Sequence, residues 1–263
     1  MTAADLVSFA ESGRVATLTL NSPASRNALS LAMLAALADR LSAIANRVDL
    51  RVVILQAEGP AFCAGHDLKE LTAHRNDPDR GRAFFDETMR ACSAVMQRIV
   101  ALPVPVIAAV DEMATAAGCQ LVASCDLAVA GPRARFCTPG VDIGLFCSTP
   151  AVALSRNVAP KHAMEMLLTG APIGAEAALR IGLVNRISAD GARTGALMLA
   201  SEIAQKSPQA IRFGKQAFYA QREKTLSVAY DLASAVMVEN MLAADAQEGI
   251  AGFLEKRAPN WSR

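Results

Sequence analysis

Val104-Pro105-Val106-Ile107-Ala108-Ala109-Val110 runs directly into Asp111-Glu112-Met113-Ala114-Thr115-Ala116-Ala117-Gly118-Cys119-Gln120-Leu121. The reading of this stretch sets the fold class. Its first part is a continuous apolar run, the pattern of a strand buried on both faces of a parallel sheet. Pro105 stands near the start of that run, where a missing N–H matters least. A loop of small residues follows, and then a helix start at Ala116. Strand, short loop and helix make an α/β unit. Small residues let a ligand approach the backbone closely. The free N–H groups of a helix start can face a developing negative charge, with the helix dipole behind them.

The same arrangement occurs once more upstream. Val52-Val53-Ile54-Leu55 is a second buried strand, and Glu58-Gly59-Pro60 is a turn. The segment Pro60-Ala61-Phe62-Cys63-Ala64-Gly65-His66-Asp67-Leu68-Lys69-Glu70-Leu71 then opens a helix-like stretch. Two N–H donors brought together from two such loops would form an oxyanion hole. Before these units lie a β-rich run at 15–20, a turn at Asn21-Ser22-Pro23 and a helical pattern over about 28–45, with Leu29, Met33, Leu37 and Leu41 on one face. Helices are expected at 80–101 and 116–124, and a strand at 127–130. Beyond these, short helices are expected at 161–169 and 175–181, with a last turn and strand at 182–187. After Asp190-Gly191 only helical patterns remain, at about 192–206, 208–222, 225–242 and 244–257. The third of these carries an apolar stripe of Leu226, Tyr230, Ala233, Met237 and Met241, as expected of a face packed on the parent domain or on a neighbouring subunit. The expected division is an α/β core over 1–190 and a helical part over 191–263.

Composition excludes several classes of function. The chain has 263 residues, 52% of them hydrophobic, and a formal net charge of +1, so no basic surface for nucleic acid is expected. One Trp and two Tyr make no stacking platform for single strands. No apolar run is long enough to span a bilayer. Met1 to Ala10 holds no basic stretch of the kind that opens a signal or transit peptide, and a cytoplasmic location is expected. The six cysteines form no C-x-x-C pair and only three histidines accompany them, so neither a zinc site nor any other metal site is expected. They read as small buried thiols.

The loop at 61–71 and the strand–loop–helix at 104–126 closely resemble the crotonase (enoyl-CoA hydratase/isomerase) superfamily. Three further segments agree in order: Asn21–Leu29, Met166–Ile187 and Glu248–Trp261. The resemblance runs from about residue 6 to the C-terminus. It implies a spiral of ββα units, a helical C-terminal region used for trimerisation, and a homotrimer or a dimer of trimers. It implies an acyl-CoA ligand, with no cofactor beyond the coenzyme A moiety of the substrate. The thioester oxygen would sit between the backbone N–H groups of His66 and Ala117. Arg26, Ala64 and Lys69 match positions near the coenzyme A moiety, and Phe253 and Lys256 match C-terminal positions that approach it from an adjacent subunit. The N–H of His66 is what the resemblance asks for. Its imidazole is a bystander in this reading, although it is the one side chain type that titrates near neutrality. Asp67 and Asp126 match structural positions.

Two positions depart from the family. Its hydratases use two glutamates as base and acid, and those positions are here Gln120 and Gly140, the latter in Thr138-Pro139-Gly140-Val141-Asp142-Ile143-Gly144. Gln120 can hydrogen-bond but carries no proton at neutral pH. General acid–base catalysis contributes typically about 10²–10⁴-fold, roughly 3–5 kcal/mol of barrier. Loss of both groups should therefore nearly silence standard hydration. If 138–144 is extended, Asp142 shares a face with position 140 and is a weak substitute base. Asp111 and Glu112 read as solvent-facing loop acids, and Cys147 would need a neighbouring base to act as a nucleophile. This pattern of residues resembles one subgroup of the superfamily whose members lack both glutamates. Three functions stay open: a lyase or isomerase with unusual acid–base groups, a non-catalytic acyl-CoA binder or carrier, and another enolate reaction such as decarboxylation of a malonyl-type thioester.

Overall fold

The computed structural model describes residues 6–261. Strands β1 (Val7–Ser12) and β2 (Val15–Leu20) form an antiparallel hairpin about Gly13, whose φ of 59° suits glycine. Helix α1 (Leu31–Ala45) begins three residues later than its apolar periodicity suggests. The cause is Ser30, whose hydroxyl accepts from Met33 N–H at 3.2 Å and sets the N-cap. Met33, Leu34, Leu37, Leu41 and Ile44 fill its buried face.

From here the chain repeats one move three times. It runs along β3 (Val52–Ala57) and crosses to the short β4 (Ala61–Cys63), followed by α2 (Leu68–Ala73) and α3 (Arg82–Ala101). It runs along β5 (Val106–Val110), crosses to β6 (Met113–Thr115) and enters α4 (Ala117–Ser124). It runs along β7 (Leu127–Ala130), crosses to β8 (Arg135–Cys137), makes a 3-10 turn at Pro139–Ile143 and enters α5 (Ser148–Leu154) and α6 (Pro160–Thr169). The strand β9 (Ile173–Gly174), α7 (Ala175–Arg180) and β10 (Arg186–Ile187) follow, then α8 (Ala192–Ala204), α9 (Pro208–Gln221), α10 (Leu226–Leu242) and α11 (Ala244–Leu254). The large sheet has the order β1-β2-β3-β5-β7-β10, parallel from β2 onward, and the small sheet the order β4-β6-β8-β9. This is the expected spiral of ββα units.

Burial explains which parts were visible beforehand. Val52 to Leu55 and Val106 to Val110 are all fully buried, so they read as unbroken apolar runs. The strands β4, β6, β8 and β9 have two or three residues each, too few to show an alternating pattern. Helix α8 lies on the large sheet, with Ala192, Ala196, Leu199 and Ala200 packed against Val52, Ile54, Ile107 and Val129. Helix α9 is fastened by Lys215, whose Nζ donates to Ile99 O and Val104 O, both at 3.0 Å, and to Asp126 Oδ2 at 2.7 Å. Tyr219 O–H donates to the other oxygen of Asp126 at 3.0 Å. Helix α10 has no buried residue: Leu226, Tyr230, Met237, Met241 and Leu242 are all exposed. Among the described residues no single helix is long and apolar enough to cross a bilayer.

Candidate functional site

The two chemically odd loops meet because their strands are neighbours. Ala61 pairs with Met113 and Cys63 with Ala114, so the chain leaves β4 and β6 side by side. Gly118 sits so close that a Cβ there would lie 2.3 Å from Cys63 O. A Cβ at Gly65 would lie 3.0 Å from that of Ala116 and 3.4 Å from Ala117 N. Glycine is required at both places by this contact. The loops are also held from the far side. Leu29 N–H donates to Gly65 O at 2.7 Å and Ala64 N–H donates to Arg26 O at 3.0 Å.

Asn27, not singled out from sequence, organises that clamp. It is fully buried at a φ of 54°, a conformation asparagine tolerates better than most residues. Its side-chain amide donates to Glu58 O and Ala61 O, at 2.8 and 2.9 Å, and its carbonyl accepts from Ser22 N–H at 2.7 Å. The sequence signal was an Asn just after a turn, which is too common to stand out alone.

Ala116 adopts φ 51°, ψ −118°, a strained conformation for a residue with a Cβ, worth about 1–3 kcal/mol. Its N–H donates to Cys137 O at 2.9 Å and its carbonyl accepts from Gln120 N–H at 3.0 Å, which pins the turn. The effect is to aim the first N–H of α4 out of the helix. Among the described residues the N–H groups of His66 and Ala117 donate no hydrogen bond. The structure thus brings His66 and Ala117 to adjoining loops.

Arg26 and Lys69 are exposed near this point, on either side of Ala64 and His66. Asp67 is the N-cap of α2 and accepts from Lys69 N–H at 2.9 Å and Glu70 N–H at 3.2 Å, a structural role. Phe253 and Lys256 stand exposed at the end of α11, which packs mainly on α9 and α10. The ring of His66 is enclosed, with both nitrogens buried and without a partner. Burial pushes its pKa below the usual histidine value, and the nearby Leu29 backbone opposes this without closing a hydrogen bond. Burial thus favours the neutral form of the imidazole.

Gln120 faces inward one turn along α4 and is only 4% exposed. The Cys92 thiol lies 4.0 Å from its Oε1. It lines a cavity of about 430 Å³ between α3, α4, α5 and α9. Gly140 is buried, and Leu145 N–H donates to its carbonyl at 2.8 Å. The expectation for Asp142 is corrected. Pro139–Ile143 is a 3-10 turn rather than an extended segment, so residues two apart do not share a face. The carboxylate of Asp142 lies over Gly170, the residue that ends α6. Asp111 is corrected too: it is half-buried and accepts from Ala192 N–H at 2.7 Å, capping α8. Glu112 pairs with Arg133. All six cysteines are free and buried. Burial pushes the Cys63 and Cys92 thiols up to about 12 and raises that of Cys147, so they are poor nucleophiles.

Known proteins share this architecture. Residues 10–263 match the family model described as enoyl-CoA hydratase/isomerase. Rat enoyl-CoA hydratase domain-containing protein 3, mitochondrial, is 48% identical over 258 residues, covering 98% of this chain and 84% of that protein. The crystal structure of human enoyl coenzyme A hydratase domain-containing protein 3 superposes with a TM-score of 0.92 at 47% identity, covering 97% of this chain and all of that one. An enoyl-CoA hydratase crystal structure from Mycobacterium smegmatis gives 0.93 at 48% identity, covering 97% and 98%. The expected cytoplasmic location does not stand against these names. The rat relative and its mouse and human counterparts are all named mitochondrial. Buried thiols and a near-zero net charge suit any reducing compartment, so they never separated the two locations. With a family model spanning nearly the whole chain, relatives this similar and a shared spiral fold, the chain belongs to the enoyl-CoA hydratase/isomerase family.

Proposed function

We propose that this protein binds an acyl-CoA thioester and stabilises its enolate form at the N–H groups of His66 and Ala117. The observation that carries this reading is the junction of the two loops, where two backbone donors stand unpaired beside each other. Donors fixed in advance at the point where negative charge develops are worth most in a site shielded from water. Arg26, Ala64 and Lys69 border the same loop and suit the coenzyme A phosphates, which need a basic partner. Phe253 and Lys256 would complete that contact from a neighbouring subunit, since they stand exposed at the chain's end.

Standard hydration lacks its proton carriers in this reading. Gln120 and Gly140 occupy the positions of the two acid–base groups, and neither can take up or release a proton near neutrality. Asp142 does not face that position. The protein is then a binder of acyl-CoA, or it runs enolate chemistry that needs no base. Decarboxylation of a malonyl-type thioester is favoured as the second reading because it forms the enolate by releasing carbon dioxide. The neutral Gln120 and the absent side chain at 140 both suit it.

The test is purified protein with crotonyl-CoA, followed by loss of the enoyl-thioester absorbance and by calorimetric binding. Binding without turnover supports the proposal, and malonyl-type thioesters then decide between the two readings. Turnover at an ordinary rate of about 1–10³ s⁻¹ would mean another residue supplies the protons. Absence of binding to any acyl-CoA would sink the proposal.

A further inference from the structure

A cavity lies beside Gln120, about one turn along α4 from the candidate donor Ala117. Its walls are largely apolar: Met96 and Val100 of α3, Ala123 of α4, Val152 and Ala153 of α5, and Tyr219 of α9. Gln120 and Ser124 both line it and lie one helical turn apart, so it runs along α4 for roughly 6 Å or more. Its volume of about 430 Å³ is within the range of small-molecule sites. Gln120 is buried, whereas Arg156, Arg222 and Glu223 are exposed. These three are the charged residues of its exposed rim, which Gln97, Val152 and Asn157 complete.

The rim is not electrically balanced. Arg156 holds Glu223, with Nε and Nη2 at 3.3 and 3.0 Å from Oε1. Arg222 spends one Nη2 hydrogen bond on the backbone carbonyl of Arg156 and rests 5.6 Å above the Phe218 ring. Among the described residues no carboxylate accepts from it. Two guanidiniums and one carboxylate leave a single positive charge at the mouth of an apolar cavity. A hydrocarbon tail has no use for that charge. A chain that is apolar along its length and ends in a carboxylate matches both parts, because the guanidinium fork fits a carboxylate with two parallel bonds.

We propose that this cavity takes the acyl chain of the thioester and that Arg222 pairs with a carboxylate at the far end of that chain, so that the ligands are ω-carboxyacyl-CoA thioesters. This rests on the acyl-CoA reading above and names its substrate class. Gln120, one turn along α4 from Ala117, connects the two regions: the thioester carbon would lie at the helix start and the chain would run past Gln120 toward the rim.

The experiment is calorimetric binding of adipyl-CoA and suberyl-CoA against hexanoyl-CoA and octanoyl-CoA, matched in chain length, to the intact protein and to Arg222→Gln. The expected result is tighter binding of at least one ω-carboxy thioester than of its plain counterpart by about tenfold. In Arg222→Gln that preference is lost through weaker binding of the ω-carboxy thioester, and hexanoyl-CoA binding reports that the site is still formed. Equal affinity for matched pairs in the parent protein overturns this inference and leaves the acyl-CoA reading standing. So does a preference that survives in Arg222→Gln. Equal weakening of both thioesters in the variant would place Arg222 on the coenzyme A moiety and likewise overturn it. If none of the four thioesters binds, both readings fall.

Discussion

The Sγ of Cys147 stands over Gly140: a Cβ built on Gly140 would meet it at 2.9 Å. The same Cβ would meet Leu145 O at 2.9 Å and Cys147 N at 3.3 Å. The turn after Gly140 thus closes over the position where the resemblance implies the family's second glutamate.

This closure makes a prediction about Gly140→Glu. The glutamate cannot enter without moving the backbone of Leu145, so the variant should lose about 1–3 kcal/mol of stability by overpacking. It should also show no hydration of crotonyl-CoA. The check is a urea unfolding curve, with a lower midpoint and an unaltered slope. A variant as stable as the parent would mean that the turn opens freely. Gly140→Ala should show part of the same loss, because its Cβ already meets these contacts.

His66 gives a prediction about pH. Its folded-state pKa lies below the unfolded value, because burial disfavours the charged ring. Between those two values the unfolded chain binds a proton that the folded chain does not. Stability from this group is therefore complete above about pH 6.5 and is lost as pH falls through the folded pKa, by at most roughly 1.4 kcal/mol per pH unit. His66→Gln removes the titrating ring and keeps the backbone N–H. The loss of stability between pH 7.5 and 5.5 should be smaller in the variant by about 1 kcal/mol. Identical losses in the two proteins would place the ring in contact with solvent.

The buried pair of Lys215 and Asp126 gives a third. The Lys215 side chain is 6% exposed and that of Asp126 is 14% exposed. Burial pushes the Lys215 pKa down, while Asp126 opposes the shift. Lys215→Met would leave Asp126 with Tyr219 and the Val106 N–H, at 2.7 Å, but without a counter-charge. Removal of one partner of a buried pair costs about 3–5 kcal/mol, much of it from the stranded charge. The loss for Lys215→Met with Asp126→Leu should be clearly smaller than the sum of the two single losses. A strictly additive pair would mean that the two side chains do not communicate.

Much of this arrangement was legible in the sequence, and the parts that were not share a physical cause. Val106 to Val110 announced itself because burial on both faces demands an unbroken apolar run. The small residues of the second loop were read as room for a ligand, whereas a Cβ at Gly65 or Gly118 would strike the neighbouring loop itself. Gln120 and Gly140 were recognised as departures by resemblance. The contact between Cys147 and Gly140 was hidden, because it forms only through a 3-10 turn that local periodicity does not reveal. The extended segment on which a base role for Asp142 depended is that same 3-10 turn. Arg222 gave no signal as one of three successive charges with Glu223 and Lys224 at a helix end, and the role proposed for it rests on Glu223 being held by Arg156, a relation between α9 and the end of α5.

The last prediction concerns α10. The stripe of Leu226, Tyr230, Met237 and Met241 reads in sequence like the buried face of a helix, yet Leu226 is 76% exposed and Tyr230 68% in the single chain. The helix is apolar around most of its surface and has no buried residue. An exposed apolar face this long on a water-facing helix marks a contact with another protein surface. A second and third copy of the chain are the partners that the family resemblance implies. They would also bring Phe253 and Lys256 to a neighbouring site. Size-exclusion chromatography with light scattering should give a trimer, or a hexamer if trimers pair. Met237→Glu with Met241→Glu, two charges on one turn of that face, should shift the mass toward the monomer. It should also weaken acyl-CoA binding, because the contribution of Phe253 and Lys256 is lost together with the neighbour. A monomer in the parent protein would remove the stripe's explanation. A dissociated variant that binds acyl-CoA as tightly as the parent would show that each chain holds its ligand alone.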